Sequence, residues 1–297
     1  MEKKLHILID KELHMKSVEW ILLHELHLTR HQIRSAKYRP NGILVDGRKA
    51  YTSLRVCTGS LLEVQLEDTE KGSDQLIPVA EEIEIVYEDE DLIILNKPAG
   101  LVVHPAHGHY DDTLANRLKY YFDEKETPAC IRAIGRLDKD TSGLVLFAKN
   151  QVAAARLSGY SGMVKKEYLA LVTGIPNPRD GTIEKKIAPV KDDLNRMEVS
   201  ESGRPAKTMY QVEKEFADSS LVRLTLGTGR THQIRVHMAS IGHPLLGDSI
   251  YGTVPSADPL QRAALHCQAM QIIQPFTQKA LCITSPLPED MHQFCQK

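Results

Sequence analysis

The sequence predicts an α+β protein: a mixed, mainly antiparallel β-sheet domain with peripheral helices, preceded by a small α/β module. Three observations lead there. Beyond about residue 83, strand-like apolar runs outnumber helical patterns and do not alternate strictly with them, which disfavours a doubly wound sheet. The run from Glu67 to Asp74 is polar and almost without apolar residues, so it reads as a linker. The segment before it carries two short helical patterns and then a hairpin signal. These features divide the 297 residues into a module at 1–68, a linker at 69–82 and a larger domain at 83–297.

In the module, Ser17, Val18, Trp20, Ile21, Leu22 and Leu23 predict a short helix. A second helix runs from about Leu28 to Lys37 with Thr29 as its N-cap. On it Arg30, Arg34 and Lys37 fall four and three residues apart and share one face, while Leu28, Ile33 and Ala36 turn inward. Residues 42–48 read as a strand with an Asp46-Gly47 turn, and 60–66 as a later strand. In the larger domain the candidate strands are 84–87, 92–96, 144–149, 167–173, 207–213 and 220–226. The candidate helices are 113–120, 151–158 and 231–241.

Composition narrows the function. Apolar residues make up 42 %, enough for a core, and the net charge is only -2, so nucleic-acid binding would have to come from local basic patches. Aromatic residues make up only 5 %, which argues against a sheet that stacks several bases on exposed rings. The five cysteines are scattered and form no Cys-x-x-Cys pair, which disfavours a disulfide framework or structural zinc and suits a reducing cytoplasm. The first residues lack the apolar core of a signal peptide, and no stretch approaches the roughly 20 apolar residues of a membrane span.

The most informative stretch is 135–149, Gly-Arg-Leu-Asp-Lys-Asp-Thr-Ser-Gly-Leu-Val-Leu-Phe-Ala-Lys. Asp138 sits in a polar turn between Arg136 and an apolar strand, an arrangement that keeps one carboxylate ionised and aimed. The string Asp138-x-Asp140-x-Ser142-Gly143 superficially matches a calcium loop, but Lys149 stands where that loop needs its glutamate. A plain turn, with Asp138 or Asp140 capping backbone donors, is the ordinary alternative.

A second block, Gly227-Thr-Gly-Arg-Thr-His-Gln-Ile-Arg-Val-His-Met-Ala, joins a strand ending at Leu226 to a helix whose buried stripe is Ile234, Met238 and Ile241. Arg230 then falls at a helix N-terminus, where the dipole disfavours a cation unless a carboxylate lies opposite. We expect that carboxylate to be Asp138, with the pair sharing one cleft. A dinucleotide fingerprint is excluded because His232 replaces the third glycine, and the spacing of His232, His237 and His243 does not suit zinc. In a third block, Lys165-Lys-Glu-Tyr-Leu-Ala-Leu-Val, strand alternation puts Tyr168, Ala170 and Val172 on one face. Tyr168 is either a core tyrosine with a satisfied hydroxyl or a ring stacked on a substrate base. The blocks around Lys97-Pro98, His243 to Tyr251 and Arg262 to Met270 each read as mostly structural.

In order and spacing these blocks resemble the RluA-type pseudouridine synthases across roughly residues 83–275. The module resembles the alpha-L RNA-binding motif of a small-subunit ribosomal protein. The resemblance implies that Asp138 is the catalytic aspartate, Tyr168 the active-site tyrosine and Arg230 the arginine that pairs with the aspartate. It implies that Arg136 places the flipped nucleotide and that Leu226 packs the pocket floor. Arg30, Arg34 and Lys37 would hold the RNA backbone. One departure is Gly135, where the family often has histidine, which bears on RNA contacts beside the target.

The implied reaction breaks the bond from ribose to uracil N1, turns the base and rejoins the ribose to C5. Such an isomerisation requires no redox cofactor, nucleotide or metal. The target uridine must be flipped out of its stack, at a cost of a few kcal/mol. The expected partner is RNA, ribosomal RNA of the large subunit ahead of transfer RNA, handled by a monomeric cytoplasmic protein with no membrane contact. Two alternatives compete: a non-catalytic RNA-binding ribosome-assembly factor, and a glycosidase, for which Asp140 would be the evident second carboxylate.

Overall fold

The computed structural model describes residues 2–67, 73, 75–106, 108–127, 129–159, 162–252 and 260–296. Of the linker proposed at 69–82, residues 69–72 and 74 lie outside them, and Leu76 within it is buried in the core of the larger domain. The module holds β1 (Glu2–Leu8), α1 (Val18–His24), α2 (Arg30–Lys37), β2 (Ile43–Val45), β3 (Arg48–Lys49) and β4 (Leu61–Glu67). Its sheet has the order β1-β4-β2-β3. Ser17 caps α1 through Trp20 N–H, and Thr29 caps α2 in a capping box with Gln32. The Asp46-Gly47 turn between β2 and β3 takes positive φ at both residues, 51° and 73°, as a two-residue type I′ hairpin requires. Strand β1 has no counterpart among the sequence expectations. It is an edge strand whose one paired neighbour, β4, lies some sixty residues away in the chain.

The larger domain begins with β5 (Glu84–Glu88), β6 (Leu92–Lys97), α3 (Leu114–Glu124), β7 (Arg132–Ile134), β8 (Ser142–Ala148), α4 (Gln151–Gly159) and β9 (Val164–Thr173). It continues with β10 (Asp180–Glu184), β11 (Ile187–Val190), β12 (Asp193–Val199), β13 (Lys207–Glu215) and β14 (Ser219–Leu226). The last elements are α5 (Gln233–Ala239), β15 (Leu265–Ile273), β16 (Ala280–Thr284) and α6 (Glu289–Gln296). A ten-stranded sheet runs β10-β13-β14-β9-β15-β8-β6-β5, with β16 added to β15 and β7 to β8. Among the described strands the pairings are antiparallel except β15 with β8, so the sheet is mixed and mainly antiparallel.

That parallel junction is tight. A Cβ on Gly143 would lie 2.3 Å from the Cys267 carbonyl oxygen, and φ there is 106°, so only glycine fits. Every residue of β8 is buried, which explains why Leu144 to Ala148 reads as an unbroken apolar run. Strand β9 packs both faces. Tyr168, Ala170 and Val172 face the main core, while Leu169 and Leu171 face a second cluster with Met291 of α6. Val152 of α4 joins the apolar cluster of the N-terminal module, so the two parts touch.

Candidate active site

Asp138 lies on the loop that enters β8, with its side chain 25 % exposed in a cleft of about 1040 Å³. The same cleft is lined by Arg136, Tyr168, Leu226, Arg230 and Arg235. The cleft therefore gathers every larger-domain residue that the family resemblance assigns to the site. It does not include Arg30, Arg34 or Lys37, which stand exposed on α2 in the module.

The expected ion pair between Asp138 and Arg230 is not formed. The nearest basic groups to Asp138 Oδ2 are Arg235 Nη1 at 3.9 Å and His232 Nε2 at 4.0 Å. Arg230 instead donates from Nε to the Pro205 carbonyl at 3.1 Å. The error lies in the helix boundary. Helix α5 begins at Gln233, after His232 in a left-handed conformation at φ 54°, so Arg230 belongs to the preceding loop and needs no anion to offset a dipole. Arg235, one turn into the region predicted as amphipathic helix, is buried and reaches the carboxylate.

Arg235 is itself fixed from the other side. Its Nε and Nη2 donate to the two oxygens of the fully buried Asp248, both at 2.7 Å. Asp248 Oδ1 also accepts from the N–H groups of Ile250 and Tyr251 at 2.9 and 3.1 Å. Burial alone would raise the Asp248 pKa, but the bridge to Arg235 reverses this and holds it below the usual carboxylate range. Tyr251 completes the frame. Its ring lies under the Arg235 guanidinium at 5.2 Å, and its hydroxyl meets His232 Nδ1 at 2.9 Å. Burial lowers the His232 pKa, Asp138 opposes that, and Arg235 adds to it, so the imidazole is favoured neutral.

Tyr168 is 5 % exposed and pairs in register with Cys267 across β9 and β15. Burial first, then Cys267 and Asp138, push its pKa well above the ordinary value. It is a neutral phenol at the base of the cleft. Arg136 is exposed and donates from Nη2 to Thr231 Oγ1 at 3.4 Å. Leu226, half-buried, packs against the main core. Gly135 has φ 75°, and a Cβ there would sit 3.4 Å from Lys166 Nζ, so bare backbone faces that lysine. The three histidines weighed as zinc ligands go to separate partners: His237 to Thr208 and the Lys185 carbonyl, His243 to the Thr173 carbonyl, and His232 to Tyr251.

Arg235, His232, Asp248 and Tyr251 are the site residues that sequence reasoning missed. A signal was present. Gln233, Arg235 and His237 alternate with apolar residues within one short helix, and all three are buried. Polar side chains at that density are incompatible with a helix having one solvated face.

A half-buried carboxylate beside a clamped arginine, in a cleft with further arginines on its wall, suits an enzyme acting on a polyanionic substrate. Residues 91–240 match the RNA pseudouridylate synthase family. The chain belongs to the RNA pseudouridine synthases, of the RluA type, and is an isomerase acting on RNA. It is 37 % identical over 258 residues to an RNA pseudouridine synthase of Bacillus subtilis, covering 86 % of this chain and 84 % of the relative. It is 39 % identical over 267 residues to ribosomal large subunit pseudouridine synthase D of Nitrosomonas europaea, covering 86 % and 76 %. Among solved structures, human RNA pseudouridylate synthase domain containing 4 superposes with a TM-score of 0.58 at 26 % identity, covering 71 % of this chain and 93 % of that one. No described helix is long and apolar enough to cross a membrane.

Proposed function

We propose that Asp138 is the carboxylate that starts the isomerisation, and that the substrate is a specific uridine of large-subunit ribosomal RNA. The observation that carries the first part is its position. Asp138 stands 3.9 Å from a guanidinium whose Nε and Nη2 are already taken by Asp248, so it lies beside a fixed positive charge in the cleft without spending its oxygens on a close bridge. Those oxygens are available to the flipped nucleotide. The second part rests on relatives from Nitrosomonas europaea, Haemophilus ducreyi and Pseudomonas aeruginosa, each named for the ribosomal large subunit.

In this reading Asp138 promotes departure of uracil from the ribose, at the sugar carbon or through a glycal-like intermediate. The base turns, C5 bonds to the ribose carbon, and the C5 proton leaves as N1 regains one. Tyr168 stacks on the base. Being a neutral phenol, it takes the C5 proton only by handing its own on, and Asp138 is the carboxylate sharing its cleft. Arg136 and Arg230 hold the RNA backbone at the mouth of the cleft. Arg30, Arg34 and Lys37 form a second backbone contact on the module. Leu226 packs beneath the base. The protein works as a cytoplasmic monomer.

The test is release of tritium from transcript labelled at uridine C5. Asp138→Asn is expected to abolish release while RNA affinity stays within about three-fold, since turnover and not phosphate contact is removed. Substantial residual release would take Asp138 out of this role. Wild-type binding without release from any cellular RNA would favour the non-catalytic assembly factor.

A further inference from the structure

The loop that carries Asp138 is held from behind through its backbone. The carbonyls of Asp138, Lys139 and Asp140 follow one another, and each has a donor. Asp138 O accepts from Thr141 N–H at 3.1 Å. Lys139 O accepts from Gly100 N–H at 2.9 Å and from Lys97 Nζ at 2.9 Å. Asp140 O accepts from Arg262 Nη1 at 3.2 Å.

Lys97 and Arg262 reach these carbonyls from a second cleft of about 840 Å³, which shares no lining residue with the first. Lys97 is 1 % exposed, and its three donors go to three carbonyls: Pro98 at 2.8 Å, Leu101 at 2.7 Å and Lys139 at 2.9 Å. Burial pulls its pKa down to about 7, yet three acceptors suit only the charged form, which alone has three N–H groups. Arg262 bridges Asp290 of α6 through Nε at 2.7 Å and Nη2 at 2.9 Å, which leaves Nη1 for Asp140 O and the carbonyls of Ala263 and Leu265. Burial raises the Asp290 pKa, and the bridge more than reverses that, so the anchor stays ionised.

We propose that Lys97 and Arg262 are positioning residues for Asp138, and that Asp290 of the C-terminal helix is the anchor of Arg262. The assignment rests on the reading of Asp138 as the reacting carboxylate. Neither cation touches the cleft where RNA would bind. Each instead fixes a peptide plane within two residues of Asp138, and a misplacement of about 1 Å at a reacting group costs on the order of 10²-fold in rate. A helix at the far end of the chain is thereby part of the catalytic frame.

The experiment measures kcat and RNA Kd of Arg262→Gln, Arg262→Lys and Asp290→Asn, each well below its own melting temperature. We expect kcat to fall by about 30-fold or more in Arg262→Gln and about 5-fold in Asp290→Asn, with Kd within about two-fold. Arg262→Lys should recover part of the loss, since it can still reach one carbonyl. Asp290 is 40 % exposed at its side chain, so Asp290→Asn provides a folded variant even where Arg262→Gln does not. Folded variants of both residues that keep kcat within two-fold of wild type overturn the proposal, as does a loss of kcat matched by an equal loss of affinity. Asp138→Asn is assayed beside them. If it is inactive while the clamp variants are active, only the clamp fails; if it is active, the reading of Asp138 fails.

Discussion

Asp138 and Asp248 approach the same arginine from opposite sides and are used in opposite ways. Asp248 is fully buried and spends both oxygens on Arg235 at 2.7 Å. Asp138 is a quarter exposed and stops at 3.9 Å from the same guanidinium. A carboxylate satisfied by a bidentate arginine and two backbone donors has little left to offer a substrate. One that stands near the charge without close contact keeps its oxygens open. The pair shows that one guanidinium can meet two carboxylates differently: one through a bidentate bridge, the other at a distance that leaves its oxygens uncommitted.

The sharpest break of this comparison is to neutralise each carboxylate in turn. Asp138→Asn is expected to remove turnover and to leave the melting temperature nearly unchanged. Asp248→Asn should do the reverse first. It leaves Arg235 buried without its counter-charge, a loss of about 3–5 kcal/mol in unfolding free energy. The pH dependence follows from the same shift. The folded Asp248 pKa lies below its unfolded value of about 3.9, so its stabilisation is complete above that value and disappears as pH falls through the folded one. Melting temperatures of wild type and Asp248→Asn should therefore converge in acid. Curves that stay parallel down to about pH 2, below the usual carboxylate range, would remove the ion pair from the account.

Smaller effects sharpen the division between chemistry and grip. Tyr168→Phe keeps the ring and deletes the hydroxyl. We expect kcat to fall by about 10²-fold with RNA affinity unchanged, the usual scale of a missing proton-transfer group. A drop in affinity alone would make Tyr168 only a stacking platform. Replacing Arg30, Arg34 and Lys37 together by Gln should weaken RNA binding and flatten the salt dependence, by about 0.7–0.9 in logarithmic slope for each phosphate no longer neutralised. Equal slopes for wild type and variant would leave α2 as a solvated helix face. The smallest change is expected for Arg230→Ala: KM should rise a few-fold with kcat nearly constant, because its guanidinium lies against Pro205 and not against Asp138. A large fall in kcat would restore Arg230 to the chemistry.

The sequence by itself was decisive wherever a short-range rule governs. Thr29 with Gln32 capped α2, Asp46-Gly47 turned its hairpin, and the unbroken apolar run of β8 marked a buried central strand. The alternation of β9 separated Tyr168 from Leu169, and the structure puts them in different clusters. Asp138, Tyr168 and Arg230, which the family resemblance brings together, line one cleft. What the tertiary structure decided was which cation faces which anion. A left-handed His232 starts α5 three residues beyond Arg230, and that offset turns Arg235 toward Asp138. The pairing of β1 with β4, the parallel pairing of β15 with β8, and the clamp from Lys97 and Arg262 likewise depend on partners tens of residues away. Local sequence specifies helix caps and strand faces because those interactions span a few residues. Pairing between charges depends on angles and distances between separate elements, which only the packed chain sets.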